Sequence, residues 1–221
     1  MSMLEPIRNY CERTADTFWA EPINAITNAS FLIAAWLLWK AYKATGKKDQ
    51  QLCILITLVA IVGIGSFLFH TFANRLTMLM DVIPIMLFTL TYLWAAMRTL
   101  LAWNKATSAV CLIAFIIVAM QMGNVPPEYS FNGSVSYFPC LAALIIIGAL
   151  LRGKKHPSAK FILGGAVCFI ASLTFRSVDY MVCPAFSLGT HFMWHTLNGV
   201  LLYLLTSAFI ERPSITDKST N

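Results

Sequence analysis

Long apolar runs separated by short polar breaks dominate the chain. Each run is continuous rather than alternating, which points to helices that bury on all sides or face lipid, not to half-buried strands. Seven runs approach the roughly 20 residues a helix needs to cross a bilayer. They cover residues 21–42, 51–72, 76–101, 107–122, 137–151, 161–178 and 191–210, the fourth and fifth being short of ideal. The first opens on Glu21-Pro22, where proline suits the first helical turn and an acid meets the helix dipole favourably. Between runs four and five lies GNVPPEYSFNGSVS, whose prolines and glycines mark an extramembrane loop. The pattern therefore predicts an all-α membrane protein of seven transmembrane helices. A polar segment over 1–20 precedes one seven-helix domain over 21–210, and a tail over 211–221 follows. No cleavable leader is expected, because the first 20 residues are polar and the first apolar run is long enough to act as an uncleaved anchor.

Composition agrees. Of 221 residues 58% are hydrophobic and only 12% charged, and the mean hydropathy is +0.68. A net charge of +6 would suggest a nucleic-acid partner in a soluble protein. Here the basic residues sit in short loops, so no nucleic acid is expected and orientation explains them better. Loops one, three and five, their flanks and the tail hold Lys40, Lys43, Lys47, Lys48, Arg98, Lys105, Arg152, Lys154, Lys155, Lys160, Arg212 and Lys218. The opposite side holds Arg8, Arg13, Arg75 and Arg176. This bias predicts an N-terminus outside or in a lumen and a cytosolic C-terminus. Six cysteines without any C-x-x-C spacing argue against a cysteine zinc site.

That topology gives meaning to a few polar residues. His191-Phe192-Met193-Trp194-His195 opens the seventh span, with two histidines four apart on one helix face. His70 ends the second span and Asp81 lies early in the third. Three histidines and one aspartate, distant in sequence, thus share one membrane depth. The fourth histidine, His156, stands in a basic loop. Taken singly, each has a bland reading: a histidine near a membrane surface is more often interfacial, and Ser66 beside Gly65 is a packing residue. Asp81 is harder to dismiss, because a carboxylate within a span needs a partner. Together, three imidazoles and an open position form the ligand set of a hydrolytic zinc site. Asp81 would serve as proton shuttle. Ser66, four residues before His70 on the same face, would face the developing oxyanion.

These residues resemble a known family. GSFLFHTFANRLTMLMDVIPI resembles the G-S-x-x-x-H…D-E-x-P block of alkaline ceramidases, and HFMWHTLNGVLLYLL their C-terminal H-A-x-x-H block. YCERTADTFWAEPINAITNASFLIAA is similar to their N-terminal C-E…A-E-x-x-N-x-x-S-N stretch. The resemblance covers nearly the whole chain and extends to the adiponectin and progestin receptors of the same superfamily. It implies an intramembrane zinc amidase with zinc on His70, His191 and His195, and with Asp81 and Ser66 beside a zinc-bound water. The implied substrate is ceramide, split into a sphingoid base and a fatty acid. Alternatives are the same chemistry on another N-acyl or ester lipid, and a non-catalytic receptor or sensor. Val82 departs from the family's acid after the aspartate.

The resemblance further implies a calcium site on Glu12, Glu21 and Asn9, where Asn9 and Tyr10 replace the family's aspartate and tryptophan. A capped, solvated helix entry is the competing reading of those acids. Cys11 and Cys183 both fall on the outer side, where an oxidising compartment permits a disulfide, although Cys140 lies near that side too. Asp179 reads as an outer-loop carboxylate near Arg176, with a role in ordering the site as the alternative. Short loops look bacterial, which implies an inner-membrane location; a eukaryotic source would imply an ER or Golgi-type membrane. The sequence fixes no oligomeric state.

Overall fold

The computed structural model describes residues 2–212; the end of the predicted tail, including Lys218, lies outside the described residues. Seven helices are long and apolar enough to span a membrane: α1 (Pro22–Ala44), α2 (Gln50–Phe72), α3 (Arg75–Leu100), α4 (Lys105–Gly123), α5 (Ser134–Gly153), α6 (Ala159–Val182) and α7 (His191–Ile210). No strand is present among the described residues. Several helices overrun their predicted bounds. Most notably, α6 continues to Val182 and takes Asp179 into its last turns.

The helices pack chiefly α1 with α2 and α7, α2 with α3, and α7 with α6, which in turn meets α5. Between them lies an apolar core that includes Leu38, Leu55, Val59, Leu151 and Ile162. Large apolar residues such as Trp36, Ile64, Ile113, Val167 and Val200 face outward. Polar ones such as Asn24, Ser66, His70, Asp179 and Thr206 are enclosed. In water that arrangement would be a liability; in lipid it is the expected one, since hydrocarbon solvates apolar surface but no polar group. Helix α4 is peripheral, with only Ser108 buried.

Two local devices set the site. The first is the α2–α3 turn. Ala73 ends α2 in the left-handed region at φ 42°. Asn74 then caps α3 by a reciprocal capping box with Thr77, a feature that stabilises a helix start by about 1 kcal/mol. The second is Pro84 inside α3. Having no N–H, it leaves the carbonyl of Met80, four residues back, without its helical partner. Gly65 of α2 lies against that carbonyl, so close that any side chain at 65 would collide with the Met80 backbone. Glycine here brings the two helices together at the level of Ser66 and Asp81.

The N-terminal segment folds back over this end of the bundle. The Ile7 N–H donates to the Ala73 carbonyl at 2.7 Å, and Leu76 N–H donates to the Met3 carbonyl at 3.1 Å. A disulfide joins Cys11 to Cys183, with Cα atoms 5.7 Å apart, while Cys140 is free.

Candidate metal centre

His70, in the last turn of α2, meets His191 and His195 at the start of α7. One ligand atom from each lies within 4.8 Å of the others, and all three side chains are buried. Three buried nitrogens here have no hydrogen-bond partner: His70 Nε2, His191 Nδ1 and His195 Nε2. Asp81 Oδ1 is a fourth buried atom in that state. Orphaned buried polar atoms are rare and costly. A cation at the centre of three neutral imidazoles would satisfy all three nitrogens at once, so the residues present fit a metal ion. Imidazole donors suit zinc among several transition metals.

The tautomers agree with this reading. His70 Nδ1 meets Glu21 Oε2 at 2.6 Å, and the carboxylate can only accept, so Nδ1 carries the hydrogen and Nε2 keeps its lone pair. His195 Nδ1 meets Thr27 Oγ1 at 3.1 Å. That hydroxyl already donates to the Ile23 and Asn24 carbonyls, so it accepts from Nδ1–H and again leaves Nε2 free.

Around the histidines stands a layer of charged residues that the sequence assigned elsewhere. Arg13 is buried; its guanidinium donates to the Glu21 carboxylate and to the carbonyls of Ala15, Thr17, His70 and Thr71. Asn24 Nδ2 also donates to Glu21, at 3.0 Å. Glu12 accepts from the Ile23 and Asn24 amides, both at 2.8 Å, and so caps α1. Burial pushes the Glu12 carboxyl up, against the lowering pull of those two amides. Glu12, Glu21 and Asn9 are therefore not gathered into an oxygen cage. Both acids are committed to protein donors, Asn9 is exposed, and a guanidinium is the cation bound to Glu21.

Asp179 is not a loop carboxylate paired with Arg176, but takes the alternative role of ordering the site. It is fully buried in α6, and it binds no arginine. It accepts from the Thr190 and His191 amides at 2.7 and 2.9 Å and from the Cys11 amide at 3.0 Å. One carboxylate thus caps α7, fixes the turn that carries His191, and ties down the N-terminal segment. Tyr10 completes the enclosure by stacking on the His191 ring, with centroids 3.6 Å apart.

Ser66 and Asp81, neighbours across the α2–α3 contact, line a narrow cavity together with His195. From that polar end the cavity runs along Asp81, Ile85, Phe88 and Tyr92 of α3 and His195, Asn198, Leu201 and Leu205 of α7. Asp81 and Tyr92 lie 11 positions apart, which corresponds to about 16 Å of helix. The result is an apolar slot, as long as a fatty chain of a dozen or so carbons, with polar chemistry at one end.

Replacing Glu21 by Gln tests the orienting layer. The variant loses the anionic acceptor of His70 Nδ1–H and leaves Arg13 without its counter-ion. Metal affinity should fall about 10–100-fold, read by competition with a chromophoric chelator on folded protein. Unchanged affinity would show that Glu21 does not orient His70.

A family model described as Ceramidase matches residues 7–219. No curated protein matches the chain.

Proposed function

The chain belongs to the ceramidase family, and on that premise we propose that it is an intramembrane zinc hydrolase that cleaves the amide of ceramide or a closely similar N-acyl lipid. One observation carries the proposal: three buried histidines gather their ligand atoms within 4.8 Å of one another, and one of them, His195, shares the wall of an apolar slot with Asp81, whose Oδ1 is orphaned. Family membership supports a ceramidase-like hydrolase. The choice of zinc rests on the donor set, and the choice of an amide on the family and the slot.

His70, His191 and His195 would hold the ion, which when bound acidifies water and polarises a carbonyl. The slot takes the acyl chain and leaves the scissile carbonyl beside Ser66 and Asp81. Asp81 accepts a proton from the attacking water as its oxygen bonds to the acyl carbon. The Ser66 hydroxyl donates to the carbonyl oxygen as negative charge grows there. When the C–N bond breaks, Asp81 returns the proton to the leaving nitrogen, so a free amine and a fatty acid result. By the charge bias of the loops, this end of the bundle faces the non-cytosolic side.

The test is turnover of a panel of N-acyl and O-acyl lipids by purified protein, followed by mass spectrometry, with metal content measured on the same sample. Fatty acid release from ceramide, lost on chelation and restored by zinc, is the expected result. Ester turnover without amide turnover would sink the amide assignment. Stoichiometric metal with no turnover of any lipid would favour a receptor-like role.

A further inference from the structure

The chemistry above leaves one charged group near the centre unused. Arg176 of α6 is part-buried, and its guanidinium carbon lies 5.1 Å from the Trp194 ring centroid, 5.4 Å from Tyr137 and 5.9 Å from Tyr10. Tyr137 and Trp194 line the substrate cavity. Tyr10 stacks on His191 at 3.6 Å, which puts the guanidinium within about 10 Å of that ring, inside the range of strong charge interaction at low dielectric.

A guanidinium carries five N–H donors. Here it makes one side-chain hydrogen bond, from Nη1 to Tyr10 Oη at 3.3 Å. Its Nε is buried and has no partner. No carboxylate among the described residues lies within ion-pair distance of it. Asp179, three residues on, is turned to backbone amides instead. Packing alone is the bland alternative, since aromatic faces attract a cation. It leaves the enclosed Nε and most of the fork without acceptors, in a place where an unpaired charge is expensive.

We infer that Arg176, with the Tyr10 hydroxyl, is a subsite for a lipid carboxylate beside the metal centre. Arg176 is not among the residues that line the acyl slot; it backs the slot's Tyr137 and Trp194 and reaches the metal centre through Tyr10, which stacks on His191. The inference thus puts the subsite on the headgroup side of the scissile amide, outside the slot. An N-acyl amino acid, whose carboxylate is one carbon from the amide nitrogen, matches that arrangement; the fatty acid product is the other source of a carboxylate. Planar, bidentate recognition of carboxylate is what arginine provides and lysine does not. The inference rests on the hydrolase reading for its substrate, but not for its binding test.

The test compares N-palmitoylglycine with N-palmitoylethanolamine, which differ in carboxylate against hydroxymethyl. Wild type should favour the glycine conjugate in kcat/KM. Arg176→Gln should lose that preference by about tenfold or more, read as the ratio of the two kcat/KM values so that any loss common to both substrates cancels, and Arg176→Lys should fall between. Inhibition by palmitate is measured in parallel. A parallel binding measurement uses Asp81→Asn protein, by thermal shift with each lipid, and reads the subsite whether or not any amide is turned over. If Arg176→Gln weakens only palmitate, the subsite holds the product. If it weakens the glycine conjugate, the subsite holds the headgroup. If neither carboxylate is weakened in folded Arg176→Gln and Arg176→Lys proteins, the subsite does not exist.

Discussion

Asp81→Asn is expected to lower kcat by about 10²–10⁴ while leaving the metal in place. The substitution keeps size and shape, and Asp81 is not among the three nitrogens that converge on the centre. What it removes is the carboxylate on the slot wall proposed to accept a proton from water and return it to nitrogen. Metal content per protein and kcat, measured on the same preparation, separate this from loss of the site. The expected pattern is full metal with collapsed turnover. A kcat within about threefold of wild type would show that the proton is moved elsewhere, since a general base is worth at least tens of fold.

His195→Ala should have the larger effect, because it removes the ion as well as the chemistry. Two imidazoles hold a transition metal far more weakly than three, and loss of Lewis acidity abolishes activation of water at neutral pH. Metal stoichiometry should drop from near one to near zero, and turnover to background. Far-UV circular dichroism should be unchanged, since His195 sits on a helix whose packing is mostly apolar. The side chain's partner Thr27 is left only with its own helix carbonyls, which it already binds. Full occupancy together with normal turnover in this variant would remove His195 from the site.

Much of this architecture is legible in the sequence because lipid makes it so. A helix bathed in hydrocarbon must be apolar on its outer face, and so Ile113 or Val167 announce a span as clearly as core residues do. The span ends are less legible. At the boundary polar residues become permissible, so Asp179 reads as the start of a loop although α6 carries it. His70, Asp81, Ser66 and the HFMWH pair could be placed at one depth because each lies on a span with a known direction.

The charged layer around them could not. Glu21 and His70 are 49 residues apart, and Asp179 and Cys11 are 168 apart. No local pattern records such pairings, and near span ends a solvated charge is the ordinary reading. The only available signals were weak: an acid at a helix entry, a carboxylate a dozen residues before a histidine pair, an arginine within an apolar stretch. For the same reason the sequence suggested calcium on Glu12 and Glu21, whereas the buried cation on Glu21 is supplied by the chain itself as Arg13.

The distribution of the ligands along the chain has a consequence for biosynthesis. His70 emerges with the second helix, but His191 and His195 emerge only with the seventh. The three-histidine set is incomplete until the seventh helix is made, so any metal these residues hold would be loaded after it. Cys11, made ahead of the first span, must wait for Asp179 to receive its amide. The segment ahead of the first span is thus among the last to find its place, and it closes over the centre only once the seventh helix has arrived.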